Sequence, residues 1–144
     1  MELLIFCDGG ARGNPGPAAC AFVAKDGELE IEKGSKYLGL RTNNYAEYSA
    51  VILAMEWLKK NNRKIKFSKI TFILDSELVV KQLMGKYKIK STNLKPLALK
   101  AKQLEKDLKV NVSFRSVLRE KNKTADGLVN KILDEKLKSF TSFP

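Results

Sequence analysis

The 144-residue sequence contains no histidine, only two cysteines and no long apolar run. Without histidine, catalysis by a histidine-activated nucleophile is excluded, and no serine has an evident base. Cys7 and Cys20 lack metal-ligand spacing; we interpret them as buried, small apolar residues that could approach each other if their strands are neighbours. No apolar run approaches the ~20 residues that span a bilayer, and the N-terminus lacks the basic flank of a signal peptide. We therefore expect a soluble, cytoplasmic protein without a disulfide.

Acidic residues are scarce compared with basic ones. Lys and Arg total 27 against 16 Asp and Glu, which gives a net charge of +11. Eight lysines lie between Lys81 and Lys106, and Glu105 is the only acid among them. Such a surface favours a polyanion such as nucleic acid, although solubility or the lysine enrichment of thermophiles would also explain it.

The hydrophobic pattern predicts one α/β domain over residues 1–139, with a frayed tail at 140–144. A turn-rich stretch at 8–17 is expected to be a loop, and Lys25-Asp26-Gly27 a hairpin turn. The predicted strands are 2–7, 18–24, 28–37, 69–74 and 110–117, and the predicted helices are 45–60, 76–84, 93–108 and 125–137. This order predicts a mixed five-stranded sheet whose first three strands are antiparallel, with helices on both faces.

Four carboxylates lie where the pattern directs an acidic side chain toward apolar structure. Asp8 and Asp75 end apolar runs typical of central strands, whereas Glu47 and Asp126 share helical stripes with aliphatic residues. Singly, each has an ordinary explanation as a turn residue, a helix cap or a misjudged surface residue. Together they predict one anionic pocket, because buried carboxylates need compensation and a divalent cation commonly provides it.

The chemistry of this set suits phosphodiester hydrolysis. Carboxylate oxygens are the hard ligands that Mg²⁺ prefers, and two such ions can assist the attacking water and the leaving oxygen. Asp134 and Glu56 lie on polar helical stripes and are expected to be solvated. With the basic surface, the four carboxylates predict a metal-dependent enzyme that acts on nucleic acid.

Four short motifs in this order resemble ribonuclease H of type 1. They are Asp8-Gly9-Gly10 with Asn14-Pro15-Gly16, Thr42-Asn43-Asn44-Tyr45-Ala46-Glu47, Asp75-Ser76, and Asn122 four residues before Asp126. The resemblance covers nearly the whole chain. It implies a ribonuclease H-like fold and an endonuclease that hydrolyses the RNA strand of RNA–DNA hybrids, leaving 5′-phosphate and 3′-hydroxyl ends. It also implies two Mg²⁺ ions, with Mn²⁺ as a substitute.

The resemblance assigns roles by position. Asp8, Glu47, Asp75 and Asp126 would be the catalytic metal ligands. The residues that would bind the substrate are Asn14, Asn43 and Asn44 in the hybrid's minor groove, Thr42 and Asn93 in a pocket for a DNA phosphate, and Asn122 in the loop before the last ligand. Turn and helix-capping chemistry is the alternative explanation of the asparagines.

Three departures from the family pattern are evident. The loop before Asp126 lacks the family's histidine, so Arg119 or Glu120 would take part of its role unless metal-bound water suffices. The Trp-rich basic protrusion is missing. Binding of the hybrid would then depend on the lysines of segment 86–90, and we expect it to be weaker and more sensitive to salt. Glu77 occupies a position where a neutral, base-contacting residue is common.

Two other functions remain open at this point. One is a nuclease of the same fold that acts on DNA, such as a resolvase or an integrase-like core. The other is a catalytically silent module that binds hybrid or RNA. For the leading hypothesis we expect a monomer with a hybrid substrate, no membrane association and no obligatory protein partner.

Overall fold

The chain forms five strands and four helices in the computed structural model, which describes residues 2–61 and 66–141. In chain order the elements are β1 (Glu2–Ala11), β2 (Gly16–Asp26), β3 (Leu29–Arg41), α1 (Asn43–Lys60), β4 (Lys69–Leu74), α2 (Glu77–Leu83), α3 (Lys95–Leu108), β5 (Asn111–Ser116), a 3₁₀ turn (Arg119–Lys121) and α4 (Lys123–Thr141). No helix in these described ranges is both long and apolar enough to cross a membrane.

The strands form one mixed sheet in the order β3-β2-β1-β4-β5. β1, β2 and β3 are antiparallel neighbours, whereas β4 runs parallel to β1 and β5 parallel to β4. The predicted sheet, with its antiparallel first three strands, is confirmed. Gly27 adopts a left-handed φ of 61° in the hairpin turn between β2 and β3, a conformation that glycine tolerates without strain.

Helices cover both faces of this sheet, as predicted. Alternate residues of β2 face opposite sides: Cys20, Phe22 and Ala24 belong to the core beneath α1 and α3, and Ala19 and Ala21 pack with α4. This division follows from the period of two along a strand. Consequently α1 and α4 approach the sheet from opposite faces.

The predicted loop at 8–17 was mostly wrong. β1 continues through Asp8 to Ala11, which pairs with Ala18 at the start of β2, so only residues 12–15 bend between the strands. Local turn propensity was overridden by strand pairing. The 3₁₀ turn was not predicted, and α4 begins at Lys123 and ends at Thr141 instead of spanning 125–137. The remainder of the predicted tail, 142–144, lies outside the described residues.

The two cysteines lie on neighbouring antiparallel strands. Cys7 is paired with Phe22, and Cys20 with Gly9, so the thiols share one sheet face. Both are buried and free. Their interpretation as small, buried core residues is confirmed.

Candidate active site

Four different elements carry the four predicted carboxylates. Asp8 lies within β1 and Asp75 directly follows β4; because Phe6 pairs with Ile73, both acids lie two residues beyond the last pair of these parallel strands. Glu47 lies in the first turns of α1, and Asp126 in the first turn of α4. The point where β1 and β4 stop pairing thus meets the starts of two helices.

Carboxylate oxygens of Asp8, Glu47 and Asp75 all lie within 4.8 Å of one another. The side chain of Asp126 reaches Asp8 closely enough for a side-chain hydrogen bond. All four residues line one cleft. The structure therefore brings together the complete set of acids that the sequence singled out.

The cleft makes ionisation of its acids costly without a cation. Burial, followed by the charges of Asp75 and Asp126, raises the pKa of Asp8 to about 8. Burial also raises the pKa of Glu47 well above its ordinary value, with further contributions from Asp8 and Asp75, although a hydrogen bond from the Gly9 backbone N–H opposes this shift. Desolvation and like charges act together here.

Two oxygens of the cluster are buried without a hydrogen-bond partner among the described residues. They are Oε2 of Glu47 and Oδ2 of Asp75. Buried polar atoms are rarely unpaired in native proteins, so each calls for an explanation. A divalent cation supplies one, because hard carboxylate oxygens at this spacing are the ligands that Mg²⁺ prefers. The residues present thus fit a metal site.

The depth of Glu47 depends on one glycine. A Cβ atom at Gly9 would overlap the backbone carbonyl of Ala46, so α1 packs directly against the β1 backbone there. Gly10 is different, since a Cβ atom at that position would lie 3.8 Å from Cγ1 of Val129. The absent side chain at position 9 lets α1 bring Glu47 beside Asp8.

Polar side chains fasten the bend after β1 to the start of α1. The Asn43 backbone N–H donates to Oδ1 of Asn14 at 3.0 Å, and the Ala11 N–H donates to Oδ1 of Asn43 at 2.8 Å. Thr42 caps α1 by accepting from the Tyr45 N–H at 3.2 Å. These residues therefore do perform turn and capping roles, as the alternative explanation expects. Asn14, Thr42 and Asn43 are nevertheless exposed, so they are also accessible to a ligand.

Asn43, Asn44 and Asn93 lie in two neighbouring depressions, whereas Asn14 lines neither of them. Asn43 and Asn44 line the carboxylate cleft. Thr42 and Asn93 line a second pocket together with Arg41, whose guanidinium carbon lies 4.6 Å from the centre of the Tyr45 ring. Sequence reasoning missed Arg41, although a cation directly before Thr42 was a visible signal for an anion pocket.

Asn122 does not lie at the surface, contrary to its expected contact with substrate. Its side chain is buried, with 1% of the residue exposed, and its Nδ2 donates to the Cys7 carbonyl at 2.8 Å. The Asp126 N–H in turn donates to the Asn122 carbonyl at 3.1 Å. Asn122 thus fastens the start of α4 to β1, one residue before Asp8, and we correct its role from binding to positioning.

The three departures from the family pattern also have positions in the structure. Arg119 lines the carboxylate cleft, whereas exposed Glu120 is not among its lining residues. Glu77 forms an exposed ion pair with Lys81 at 2.8 Å, which lowers the pKa of Glu77. The lysines of segment 86–90 are exposed. Sequence reasoning also missed Arg12 and Asn130, which line the same cleft.

Comparison with known proteins agrees with this geometry. Residues 6–132 match the model of the reverse transcriptase-like family, to which the chain belongs. The bifunctional protein Rv2228c of Mycobacterium tuberculosis is 32% identical over 136 residues, which are 93% of this chain and 36% of that protein. Ribonuclease HI of Halobacterium salinarum is 37% identical over 131 residues, 90% of this chain and 63% of that protein. The chain spans only part of these relatives' length.

Similar solved structures identify the type of family member more closely. LC11-RNase H1 in complex with an RNA/DNA hybrid superposes with a TM-score of 0.89 at 40% identity, covering 94% of this chain and 99% of that one. RNase H1 of Halobacterium salinarum gives 0.84 at 34% identity, with the same two coverages. The chain is a member of the ribonuclease H type 1 family and has its fold.

Proposed function

We propose that this protein is an endoribonuclease that hydrolyses the RNA strand of RNA–DNA hybrids, leaving 5′-phosphate and 3′-hydroxyl ends. The observation that carries the proposal is the convergence of Asp8, Glu47, Asp75 and Asp126 at one cleft of a strongly basic chain. The similarity to an RNase H1 that binds an RNA/DNA hybrid supports the choice of substrate. The catalytic unit is proposed to span residues 1–139.

The four carboxylates would hold two Mg²⁺ ions, with Mn²⁺ as a substitute. When bound, such ions activate a water nucleophile and stabilise the charge that develops on the leaving oxygen. The two buried, unpartnered oxygens of Glu47 and Asp75 support this assignment. The raised pKa values of Asp8 and Glu47 have a consequence, since both groups must give up protons before they can serve as ligands.

The remaining residues of the cleft would bind and orient the hybrid. Asn14, Asn43 and Asn44 are proposed to contact the minor groove, where the 2′-hydroxyls distinguish RNA from DNA. Thr42 and Asn93, with Arg41 beside them, would take a phosphate of the DNA strand in the second pocket. Lysines of segment 86–90 would add a sequence-independent, salt-sensitive contact.

Arg119 is the better candidate for the role of the missing histidine. It lines the cleft, whereas Glu120 does not. A guanidinium offers only hydrogen-bond donors, so its contribution would be to hold a phosphate oxygen near the reacting bond. Proton transfer would then be left to water.

We also propose that the protein acts as a monomer in the cytoplasm, without an obligatory protein partner. One chain supplies all four carboxylates of the cleft, so the proposed site needs no residue from a second copy.

The test uses wild type and Asp75→Asn on a labelled RNA–DNA hybrid, beside duplex RNA and duplex DNA, with Mg²⁺ and with Mn²⁺. We expect wild type to cut only the RNA of the hybrid, and Asp75→Asn to bind hybrid but not cut it. Asp107→Asn, remote and paired with Lys59, is the matched control and should cut normally. Cleavage of duplex DNA would favour the DNA-acting nuclease. If wild type bound hybrid without cutting it, the silent module would be favoured. Full activity of Asp75→Asn would overturn the metal assignment.

A further inference from the structure

Arg12 and Asn130 form a chain of contacts that ends on the fourth carboxylate. Nδ2 of Asn130 donates to Oδ2 of Asp126 at 3.3 Å, and Nη2 of Arg12 lies 3.5 Å from both Oδ1 and the backbone oxygen of Asn130. The same Nη2 pairs with Oδ1 of Asp134 at 2.6 Å. We infer that Arg12 and Asn130 are positioning residues that hold the Asp126 carboxylate in its orientation toward Asp8.

The chemistry of the Asn130 amide makes this link directional. Asp126 as a carboxylate only accepts hydrogen bonds, and the Arg12 guanidinium only donates them. The amide satisfies both when its oxygen faces Arg12 and its nitrogen faces Asp126, which is the arrangement in the structure. Arg12 therefore selects the amide orientation that presents a donor to Asp126.

The spacing on α4 makes the link geometrically natural. Asp126, Asn130 and Asp134 follow at intervals of four residues, so they share one helical face. Arg12 reaches this face from the bend after β1, and the same bend is fastened to α1 because the Asn43 N–H donates to Oδ1 of Asn14. The bend thus connects the helix that carries Glu47 with the helix that carries Asp126, although the two lie on opposite faces of the sheet.

Magnitudes favour orientation over general stabilisation. The Arg12 and Asp134 side chains are 35% and 60% exposed. An ion pair this exposed contributes little to folding. A residue that orients a metal ligand, by contrast, typically changes metal affinity or activity by about 10–100-fold. The pair therefore matters more for Asp126 than for the fold.

This inference rests on the proposed function, and its experiment separates the two. The variants are Asn130→Ala, Arg12→Ala, Asp134→Ala and the double variant of Arg12 and Asn130. Mg²⁺ binding is measured calorimetrically on the protein without nucleic acid, and kcat and KM are measured on hybrid. Lys59→Ala, which breaks a similarly exposed 3.1 Å pair with Asp107, is the control and should match wild type.

We expect Asn130→Ala to weaken Mg²⁺ binding and lower kcat by about 10-fold, at the lower end for residues of this kind. Its KM for hybrid should stay within about twofold of wild type, because the altered contact is to a ligand and not to substrate. Arg12→Ala should give a smaller loss of about 3-fold, since Arg12 acts through Asn130, and Asp134→Ala should give a similar loss, since Asp134 acts through Arg12. The double variant should equal Asn130→Ala, because residues in one chain of contacts are not additive.

Three results would overturn the inference. They are unchanged Mg²⁺ affinity in Asn130→Ala, additive losses in the double variant, or an Arg12→Ala variant with raised KM and a salt slope about one unit shallower, which would mark a phosphate contact. Urea denaturation tests for a loss due to unfolding; Asn130 is exposed and alanine favours helix, so the fold should persist. Wild-type protein that neither binds Mg²⁺ nor cuts hybrid would refute the proposed function itself.

Discussion

Replacing the ionisable Asp8 by asparagine should stabilise the metal-free protein, and increasingly so as the pH rises. In the folded chain the Asp8 pKa is raised to about 8 by burial and then by its acidic neighbours. In the unfolded chain the group has its ordinary value of 3.8. Between these values the folded state keeps a proton that the unfolded state releases, so a rising pH favours unfolding. Asp8→Asn replaces the protonated acid by a neutral group of the same shape and removes this dependence.

The size of the effect follows from proton linkage. One extra proton in the folded state makes the free energy of unfolding fall by about 1.4 kcal/mol for each pH unit. From pH 5 to pH 7 the advantage of Asp8→Asn over wild type should therefore grow by about 2.7 kcal/mol. Glu47, whose pKa is also raised, chiefly by burial, remains in both proteins. It therefore makes the free energy of unfolding of both proteins fall as the pH rises.

The composition makes this measurement unusually clean. The chain has no histidine, so no side chain with an ordinary pKa titrates between pH 5 and pH 7. Urea denaturation with a chelator present gives the free energy of unfolding by linear extrapolation. Asp107→Asn is the matched control, because its hydrogen bond from Lys59 lowers the pKa of Asp107 and that variant has no raised pKa to remove.

Mg²⁺ should reverse the order of stability. Ligands must be deprotonated, so bound metal stabilises wild type more at pH 7 than at pH 5 and stabilises Asp8→Asn less. The difference in unfolding free energy between Asp8→Asn and wild type is measured without metal at both pH values. If this difference is the same at pH 5 as at pH 7, this account of the cleft is refuted. The same growing advantage in Asp107→Asn would also refute it.

Other changes test the packing around the site and the hold on substrate. Gly9→Ala should cost about 1–3 kcal/mol of unfolding free energy in urea and displace α1, whereas Gly10→Ala, which has room for the added methyl, should be tolerated. Asn122→Ala leaves the Cys7 carbonyl without its 2.8 Å hydrogen bond and should cost about 1–3 kcal/mol by the same assay; an unchanged midpoint would contradict the positioning role. Replacing the three lysines of segment 86–90 by alanine should flatten the salt dependence of hybrid binding by about one unit for each phosphate that is no longer neutralised, whereas an unchanged slope would mean that other residues bind the phosphates.

The carboxylates could be predicted because each is marked by a periodic pattern. Apolar runs typical of central strands end at Asp8 and at Asp75. A helical stripe indicates the buried side of α1 and therefore the direction of Glu47, which the structure leaves only 5% exposed. These patterns report burial, and a buried acid without an evident partner is informative in itself.

Burial of a polar residue in a loop left no comparable signal. Asn122 stands among Lys121, Lys123 and Thr124, a polar stretch that predicts an exposed turn. Its burial comes from a contact with the Cys7 carbonyl, 115 residues away in sequence. No local pattern encodes such a pairing, so the resemblance gave the importance of the position but not its role.

The stretch at residues 8–17 shows why local turn chemistry misled the prediction there. Its glycines and asparagines are typical of a loop, yet Gly9 permits the close approach of α1, Asn14 binds the start of that helix, and Arg12 reaches α4. Each of these residues makes a tertiary contact, or by lacking a side chain allows one. The same residue types are also favoured in turns. Local and tertiary preferences diverge most often at functional sites. The stretch that looked most like an ordinary loop thus connects the two helices that supply Glu47 and Asp126.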